Sequence, residues 1–455
     1  MPAVTPVLEI LPDPCPDLRL SIPPNATRVL PTDNASVPSL LNHRLPNPLT
    51  TSYRSAISPW SNSPPLDIPP SVLPTHLIPP KSILDRLLSE VAGLPQAIQS
   101  INRAAVLPDD ILPKRLPIWI LSFWQQVYKA RQWRRRWNAC CNWVTASKPR
   151  ASASLRDRLD RTLVNIHWQG FLNGQRRDRS VEDIFTLLSN SELNSGQVND
   201  LLELIRNQLV AGSDGISPPH LVAPTELAVL VTWSYEHHNK ADYRKQLLQA
   251  TIEEDLIDGR KLSVASVSWI SPSGNGHWVP YIVNPASSYI AYGDSLGQPI
   301  PETMLAALQW WLLDVREKMN LSVDEPVVIR PILVTPQYDG FSCGILSTNS
   351  IGHLLLHDEF PLVGQDPVSI KSYRTKHTIE ILMLDAEFVC AGPEKNLITD
   401  SCCSRPMILK TQTRSILHFG YPPSNPPPHH HHLIHHRHRF SFTHHRRYLA
   451  HHHHC

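Results

Sequence analysis

Residues 262–295 read LSVASVSWISPSGNGHWVPYIVNPASSYIAYGDS. Three short segments in this stretch, Leu262–Trp269, His277–Val283 and Tyr289–Tyr292, are rich in β-branched and aromatic residues, and Ser-Pro-Ser-Gly-Asn-Gly and Asn-Pro-Ala-Ser turns separate them. The pattern predicts consecutive antiparallel strands. Working outward, Met304–Met319 reads as a helix, Val327–Val334 as a strand, Gly344–Leu356 as a helix and Ile370–Phe388 as the last convincing helix. Upstream, Ser180-Val181-Glu182-Asp183 has the residues of a helix start. Val198, Leu201, Leu202, Ile205 and Leu209 then give one apolar face of a further helix. The layout is α+β over residues 180–392.

Further out the composition changes twice. Residues 81–175 read as a helical region of their own, with helices from Ser82, from about Pro117 to Thr145, and over Leu155–Leu172. Arg131, Arg134, Arg135 and Arg136 alternate there with Trp133 and Trp137, which invites a nucleic-acid reading, since arginine neutralises phosphate and indole stacks on bases. An amphipathic helix with inward tryptophans and snorkelling arginines fits better, so nucleic acid is not expected. Residues 1–80 carry 19 of the 44 prolines and two aromatic residues, Tyr53 and Trp60, and are expected to be disordered. Residues 429–455 hold 13 of the 24 histidines, and the whole stretch 393–455 reads as a disordered His-rich tail.

Across all 455 residues, 42 Lys+Arg nearly cancel 40 Asp+Glu, so no whole-chain field is available to hold nucleic acid or an anionic membrane. No apolar run approaches the roughly 20 residues that cross a bilayer, and no membrane partner is expected. The eight cysteines lack paired CxxC spacing, which suits a reducing nucleus or cytoplasm and leaves a lone thiol free to act as a nucleophile.

That chemistry has its parts. A thiol attacks carbonyls as thiolate and needs an imidazole to take its proton and later return it to the leaving group. The imidazole needs a carboxylate to fix its tautomer. His277 and Asp294 lie seventeen residues apart, a hairpin's length, on neighbouring predicted strands. Cys343 enters at a strand–turn–helix junction, where free N–H groups and the positive helix end favour thiolate. Gln337, six residues earlier, supplies an amide donor for an oxyanion. No cofactor or metal is required. Singly each position is ordinary: a buried cysteine is usually packing, and Asp-Ser before Leu-Gly is usually a turn. Jointly, one reaction explains four residues.

The order Gly276-His277-Trp278, then Tyr292-Gly293-Asp294-Ser295, then Gln337-Tyr338-Asp339-Gly340-Phe341-Ser342-Cys343-Gly344 resembles the Ulp1/SENP cysteine proteases, which remove SUMO and related ubiquitin-like modifiers. The resemblance implies a papain-like, circularly permuted fold, with Cys343 as nucleophile, His277 as base and acid, Asp294 as orienting partner and Gln337 in the oxyanion hole. It also implies that Trp278 lines a narrow tunnel over a substrate's Gly-Gly tail, and that Asn199 and Asp200 belong to a modifier-docking surface. The implied partner is SUMO or another ubiquitin-like protein, met by a monomer. Two positions depart from the pattern. Gln197 replaces the tryptophan of the family's Trp-Leu-Asn/Ser-Asp signature, and Ser342 replaces the aspartate that commonly precedes the nucleophile. The 81–175 region resembles, weakly, a segment ahead of Ulp1-like domains in proteins of fungal transposable elements. Alternatives are a catalytically silent modifier-binding accessory protein of a mobile element and an acyltransferase using the same Cys-His chemistry. His353 and His357, at i and i+4, lack a third ligand at suitable spacing and read as an exposed helix face.

Overall fold

In a computed structural model of the chain, residues 21–48, 60–61, 68–69, 71–75, 78–92, 104–105, 116–146, 149–172, 179–213, 217–238, 246–271 and 276–391 are described. The expected tail 393–455 lies outside them, as do residues 1–20. The predicted hairpins form the centre of a five-stranded mixed sheet: β1 His220–Val222, β2 Ser263–Ile270, β3 His277–Asn284, β4 Tyr289–Tyr292 and β5 Val328–Pro331, in spatial order β5-β4-β3-β2-β1. The three inner strands are antiparallel, and both edge strands run parallel to their neighbours. Every residue of β3 is buried, which matches its apolar, β-branched run.

Among the described residues the α-helices of five residues or more are α1 Val37–Asn42, α2 Lys81–Ala92, α3 Ile120–Thr145, α4 Pro149–Leu163, α5 Asp183–Leu187, α6 Ser195–Ala211, α7 Glu226–His237, α8 Leu247–Ile257, α9 Glu302–Lys318, α10 Cys343–Leu355 and α11 Pro367–Ala391. Period-two alternation divides β3 between two cores. Val279, Tyr281 and Val283 pack with Trp311, Leu312 and Val315 of α9 and with Leu227 and Val231 of α7. Trp278 and Ile282 face the other way, toward Val198 and Leu202 of α6 and Cys343, Ile345 and Leu346 of α10. Within the first core, Glu253 accepts from Trp311 Nε1 at 2.7 Å and from Gln249 Nε2 at 3.1 Å, so its buried carboxylate has partners.

Several expectations need correction. Residues 21–48 are not disordered: Val37 and Leu40 are fully buried, and Trp168 Nε1 donates to Thr32 O at 2.8 Å. The segment places Ala26, Leu30, Val37, Leu40 and Leu45 in the core, and α3 also collects carbonyls from it. Arg131 donates to Pro46 O, and Arg134 to Leu40 O and His43 O. Two of the arginines that suggested phosphate contacts therefore serve the chain itself, and Arg136 pairs with Glu182 at 2.7 Å. Nor is the 81–175 region a unit of its own. Trp124, Trp137 and Leu159 belong to the same continuous core as Val198 and Cys343, and Lys371 of α11 lies 4.7 Å over the Trp143 ring. The helix expected over Leu155–Leu172 runs instead over α4 and stops at Leu163, because Asn165 and Ile166 bond three residues back and Ile166 O accepts from Val37 N. The helices α7 and α8 escape a periodicity reading: Leu227, Val229, Leu230, Val231 and Trp233 leave no clean polar face on α7, and α8 buries the polar Gln249 and Glu253.

Candidate active site

The site lies where the β2–β3 hairpin, the end of β4 and the start of α10 meet. His277 opens β3, paired in register with Ile270. Asp294 follows β4 by two residues, after a glycine that the fold requires: a Cβ on Gly293 would lie 2.9 Å from Ile332 O and 2.4 Å from Val334 Cγ2. The segment after β5 runs alongside, with Ile332 N donating to Tyr292 O and Gln337 N to Ser295 O. It thereby delivers the 337–342 turn, and with it Cys343, to the acid's side of the sheet. Gly344 then lets α10 begin close to its neighbours, since a Cβ there would sit 3.2 Å from both Trp278 Cδ1 and Val198 Cγ2.

His277 Nε2 is 3.1 Å from Asp294 Oδ1, and the ring is also within side-chain hydrogen-bonding range of the Cys343 sulfur. Leu296 N donates to the same Asp294 oxygen at 2.5 Å, and Tyr292 OH reaches Oδ2 at 3.4 Å. Burial, then the Asp294 carboxylate, keeps that phenol above its ordinary pKa and therefore a neutral donor. Burial alone would lower the His277 pKa, but the hydrogen bonds and charges of Asp294 and Cys343 outweigh it and raise it to about 9. An imidazole held beside a sulfur, with a carboxylate behind it, is the arrangement by which a thiol is activated.

Asp339 organises the turn that leads to Cys343. Its Oδ1 accepts from Phe341 N at 3.0 Å and Ser342 N at 2.8 Å, and Oδ2 accepts from Ser342 Oγ at 2.6 Å. These bonds wind the turn so that Cys343 sits at the first position of α10. No side chain caps this helix, which leaves its first N–H groups, that of Cys343 included, as donors at the site. Gln337 is anchored at both ends: Ser295 Oγ donates to Oε1 at 3.0 Å, and Nε2 donates to Asp339 O at 2.6 Å. The amide thus couples the acid's turn to the nucleophile's turn, and its donor is directed at Asp339 in this structure.

Of the residues expected in substrate binding, Trp278 is only 3% exposed, with its Nε1 donating to Leu193 O at 2.8 Å. The accessible indole is that of Trp269, 40% exposed, packed edge-on against Trp278 with centroids 5.0 Å apart and lying across Gly276. A pocket of about 420 Å³, lined by Trp269, Ile270, Trp233 and Met304 among others, opens beside it. Asp200 is buried and paired with Arg179 at 3.0 Å, while Asn199 Oδ1 accepts from Thr225 N and its Nδ2 donates to Glu226. Asp200 is buried, whereas Asn199 is half-buried and ties α6 to the start of α7. Gln197, at the signature's tryptophan position, forms a reciprocal capping box with Asn194 at the start of α6. The Asn-x-x-Gln spacing is the sequence signal for it. His353 Nδ1 faces Phe360 O, and His357 is exposed.

A pH prediction arises here. A native pKa raised above the ordinary 6.5 means that His277 stabilises the fold fully below about pH 6.5 and loses that contribution as pH rises through about 9. The same deprotonation removes the general acid. The alkaline limb of a kcat/KM profile should accordingly fall near pH 9, and a profile flat beyond pH 10 would contradict the pairing of His277 with Asp294.

No family model matches the chain, and no curated protein matches it in sequence. Solved structures do resemble it in fold. The Ulp1 protease domain in complex with Smt3, the yeast orthologue of SUMO, is 18% identical, with 51% of this chain covering 96% of that one at a TM-score of 0.38. The Chaetomium thermophilum Ulp1-like SUMO protease catalytic domain is 14% identical, over 55% of this chain and 88% of that one, with a TM-score of 0.31. ChlaDub1 from Chlamydia trachomatis is 15% identical, over 43% and 93%, with a TM-score of 0.27. Likenesses this distant carry no residue roles, which come instead from the chain's own geometry.

Proposed function

We propose that the chain is a thiol peptidase or isopeptidase that cleaves after the C-terminal Gly-Gly of SUMO or another ubiquitin-like modifier. The single observation that carries the reaction type is the His277–Asp294 hydrogen bond placed beside a thiol at the uncapped start of a buried helix. The Cys343 thiolate adds to the carbonyl carbon, the C–N bond breaks, and His277 gives its proton to the departing amine, leaving a thioester. Water, losing a proton to the now neutral ring, adds to the thioester, and the thiolate leaves again. The N–H groups at the start of α10 face the charge that develops on the carbonyl oxygen. Gln337 can join them once its amide turns from Asp339.

The substrate class rests on the resemblance of the Gly276-His277-Trp278, Asp294-Ser295 and Gln337-to-Cys343 motifs to the Ulp1/SENP proteases, which implies a Gly-Gly chain end at the site. The neighbouring pocket would take apolar surface of the modifier body. A panel of SUMO, ubiquitin and NEDD8 fused at their C-terminal glycines to a fluorogenic amine tests the reading. Hydrolysis of at least one, under reducing conditions and without added metal, is the expected result. Tight binding with no cleavage would favour a modifier-binding module instead.

A further inference from the structure

The hydroxyl side chains of α10, at Ser347, Thr348 and Ser350, are all buried, and two of them bond within their own helix. Thr348 Oγ1 donates to Gly344 O at 2.8 Å, and Ser350 Oγ to Leu346 O at 2.8 Å. Ser347 does otherwise. Its Oγ leaves the helix and donates to Trp278 O of β3 at 2.8 Å. That carbonyl is available because β4 is short. β4 pairs with β3 only as far as Tyr281, and Gly293 N adds one more bond to Pro280 O at 3.1 Å. Carbonyls two apart on a strand face the same edge, so Trp278 O points past the end of β4, where the sheet no longer supplies a donor. A buried carbonyl left there would be costly, and Ser347 satisfies it.

The placement of this bond gives it a second consequence. Ser347 lies four residues after Cys343, one turn along the same face of α10, and Trp278 directly follows His277. The bond therefore joins the nucleophile's helix to the base's strand within one turn of the sulfur and one residue of the ring. Trp278 is itself held: its Nε1 donates to Leu193 O at 2.8 Å, and Gly344 admits it so closely that a Cβ there would lie 3.2 Å from Cδ1. Apolar packing of α10 on β3 has no direction and leaves sliding open, whereas a hydrogen bond of this length sets register.

We infer that Ser347 is a positioning residue of the catalytic centre, which ties α10 to the carbonyl next to His277 and so fixes the separation of the Cys343 sulfur from the imidazole. The inference rests on the peptidase reading of Cys343, but its first test needs no modifier. In the full chain, Cys343 is alkylated with iodoacetamide at pH 7 and at pH 10, with the labelled peptide identified by mass spectrometry, for the wild type, S347A, S347T and S347V. At the higher pH an ordinary thiol ionises without help, so the ratio of the two rates reports the imidazole's assistance and not access to the sulfur. The ratio should fall about tenfold in S347A and S347V. Threonine keeps an oxygen at the γ position and should hold the wild-type ratio, while valine has its shape without the hydroxyl. With a modifier-fused fluorogenic substrate, kcat of S347A should drop by up to about 10²-fold at an unchanged KM, the scale of a 1 Å misplacement of reacting groups.

A folded S347A with a lowered melting temperature but the wild-type ratio and kcat overturns the inference, since the bond would then only satisfy a carbonyl, and it leaves the peptidase reading intact. So does an S347T impaired as far as S347V. Should S347A fail to fold by circular dichroism, the threonine and valine variants decide alone: a difference between them supports the hydroxyl's role, and equal behaviour rejects it. A wild-type Cys343 that iodoacetamide does not label at either pH would strike at the peptidase reading itself.

Discussion

Cys343→Ala is expected to lower turnover of a modifier-fused fluorogenic substrate by about 10⁶-fold, which is the scale on which a covalent nucleophile is lost from a hydrolase triad. The substitution removes only a sulfur. Alanine is well suited to a helix start, and Cys343 is packed at 2% exposure with no hydrogen bond to backbone that the change would orphan. The variant should keep its fold, its circular dichroism and any affinity for the modifier. Covalent capture by a modifier carrying an electrophile at its last glycine should vanish with it. Cys140 and Cys141 are built-in controls: both are buried in α3, and desolvation drives both thiols above their ordinary pKa, so neither offers a nucleophile at neutral pH. Residual turnover at the wild-type rate, or capture that persists and maps to another cysteine, would reject Cys343 as the nucleophile.

What the sequence disclosed, and what it withheld, follows from the range of the interactions involved. The strands and the order of the reacting groups are local matters. Alternating Val, Ile and aromatic residues around two turns define β2 to β4, and the chemistry of a thiol names its own partners, so His277, Asp294 and Cys343 were legible together. Ser347 was not. A serine within Ile345–Ile351 reads as one more small residue of a helix, and only the folded chain shows that its hydroxyl meets the Trp278 carbonyl beyond the end of β4. The same holds for residues 21–48, whose prolines and scarcity of aromatics argue against a core. Beside a few buried apolar side chains they contribute backbone acceptors for Arg131 and Arg134, and composition does not report acceptors. Trp278 and Trp269 differ in exposure for a related reason. Adjacency to His277 marks the first in sequence, while cross-strand pairing, a tertiary fact, brings the second beside it with the exposed face.

The second large effect belongs to Asp294→Asn. The carboxylate uses Oδ1 to accept from both His277 Nε2 and Leu296 N, and Oδ2 to accept from Tyr292 OH. An asparagine can keep only one oxygen as acceptor. If that oxygen stays with Leu296 and His277, the amide NH₂ confronts the Tyr292 hydroxyl, which must turn away, and the imidazolium loses its negative partner. If the amide flips, NH₂ faces Nε2, and the ring is driven to the tautomer that presents N–H rather than a lone pair to sulfur. Either way the His277–Asp294 pair weakens, and kcat should fall by up to about 10⁴-fold if the serine-protease precedent transfers. A second readout separates this from a simple packing loss. Since Asp294 helps to raise the His277 pKa to about 9, its replacement should move the alkaline limb of the pH–rate profile to lower pH, whereas a loosened but still charged site would lose rate at an unchanged limb. A variant with native circular dichroism, full kcat and an unmoved limb would take Asp294 out of the reaction and leave His277 to act unassisted.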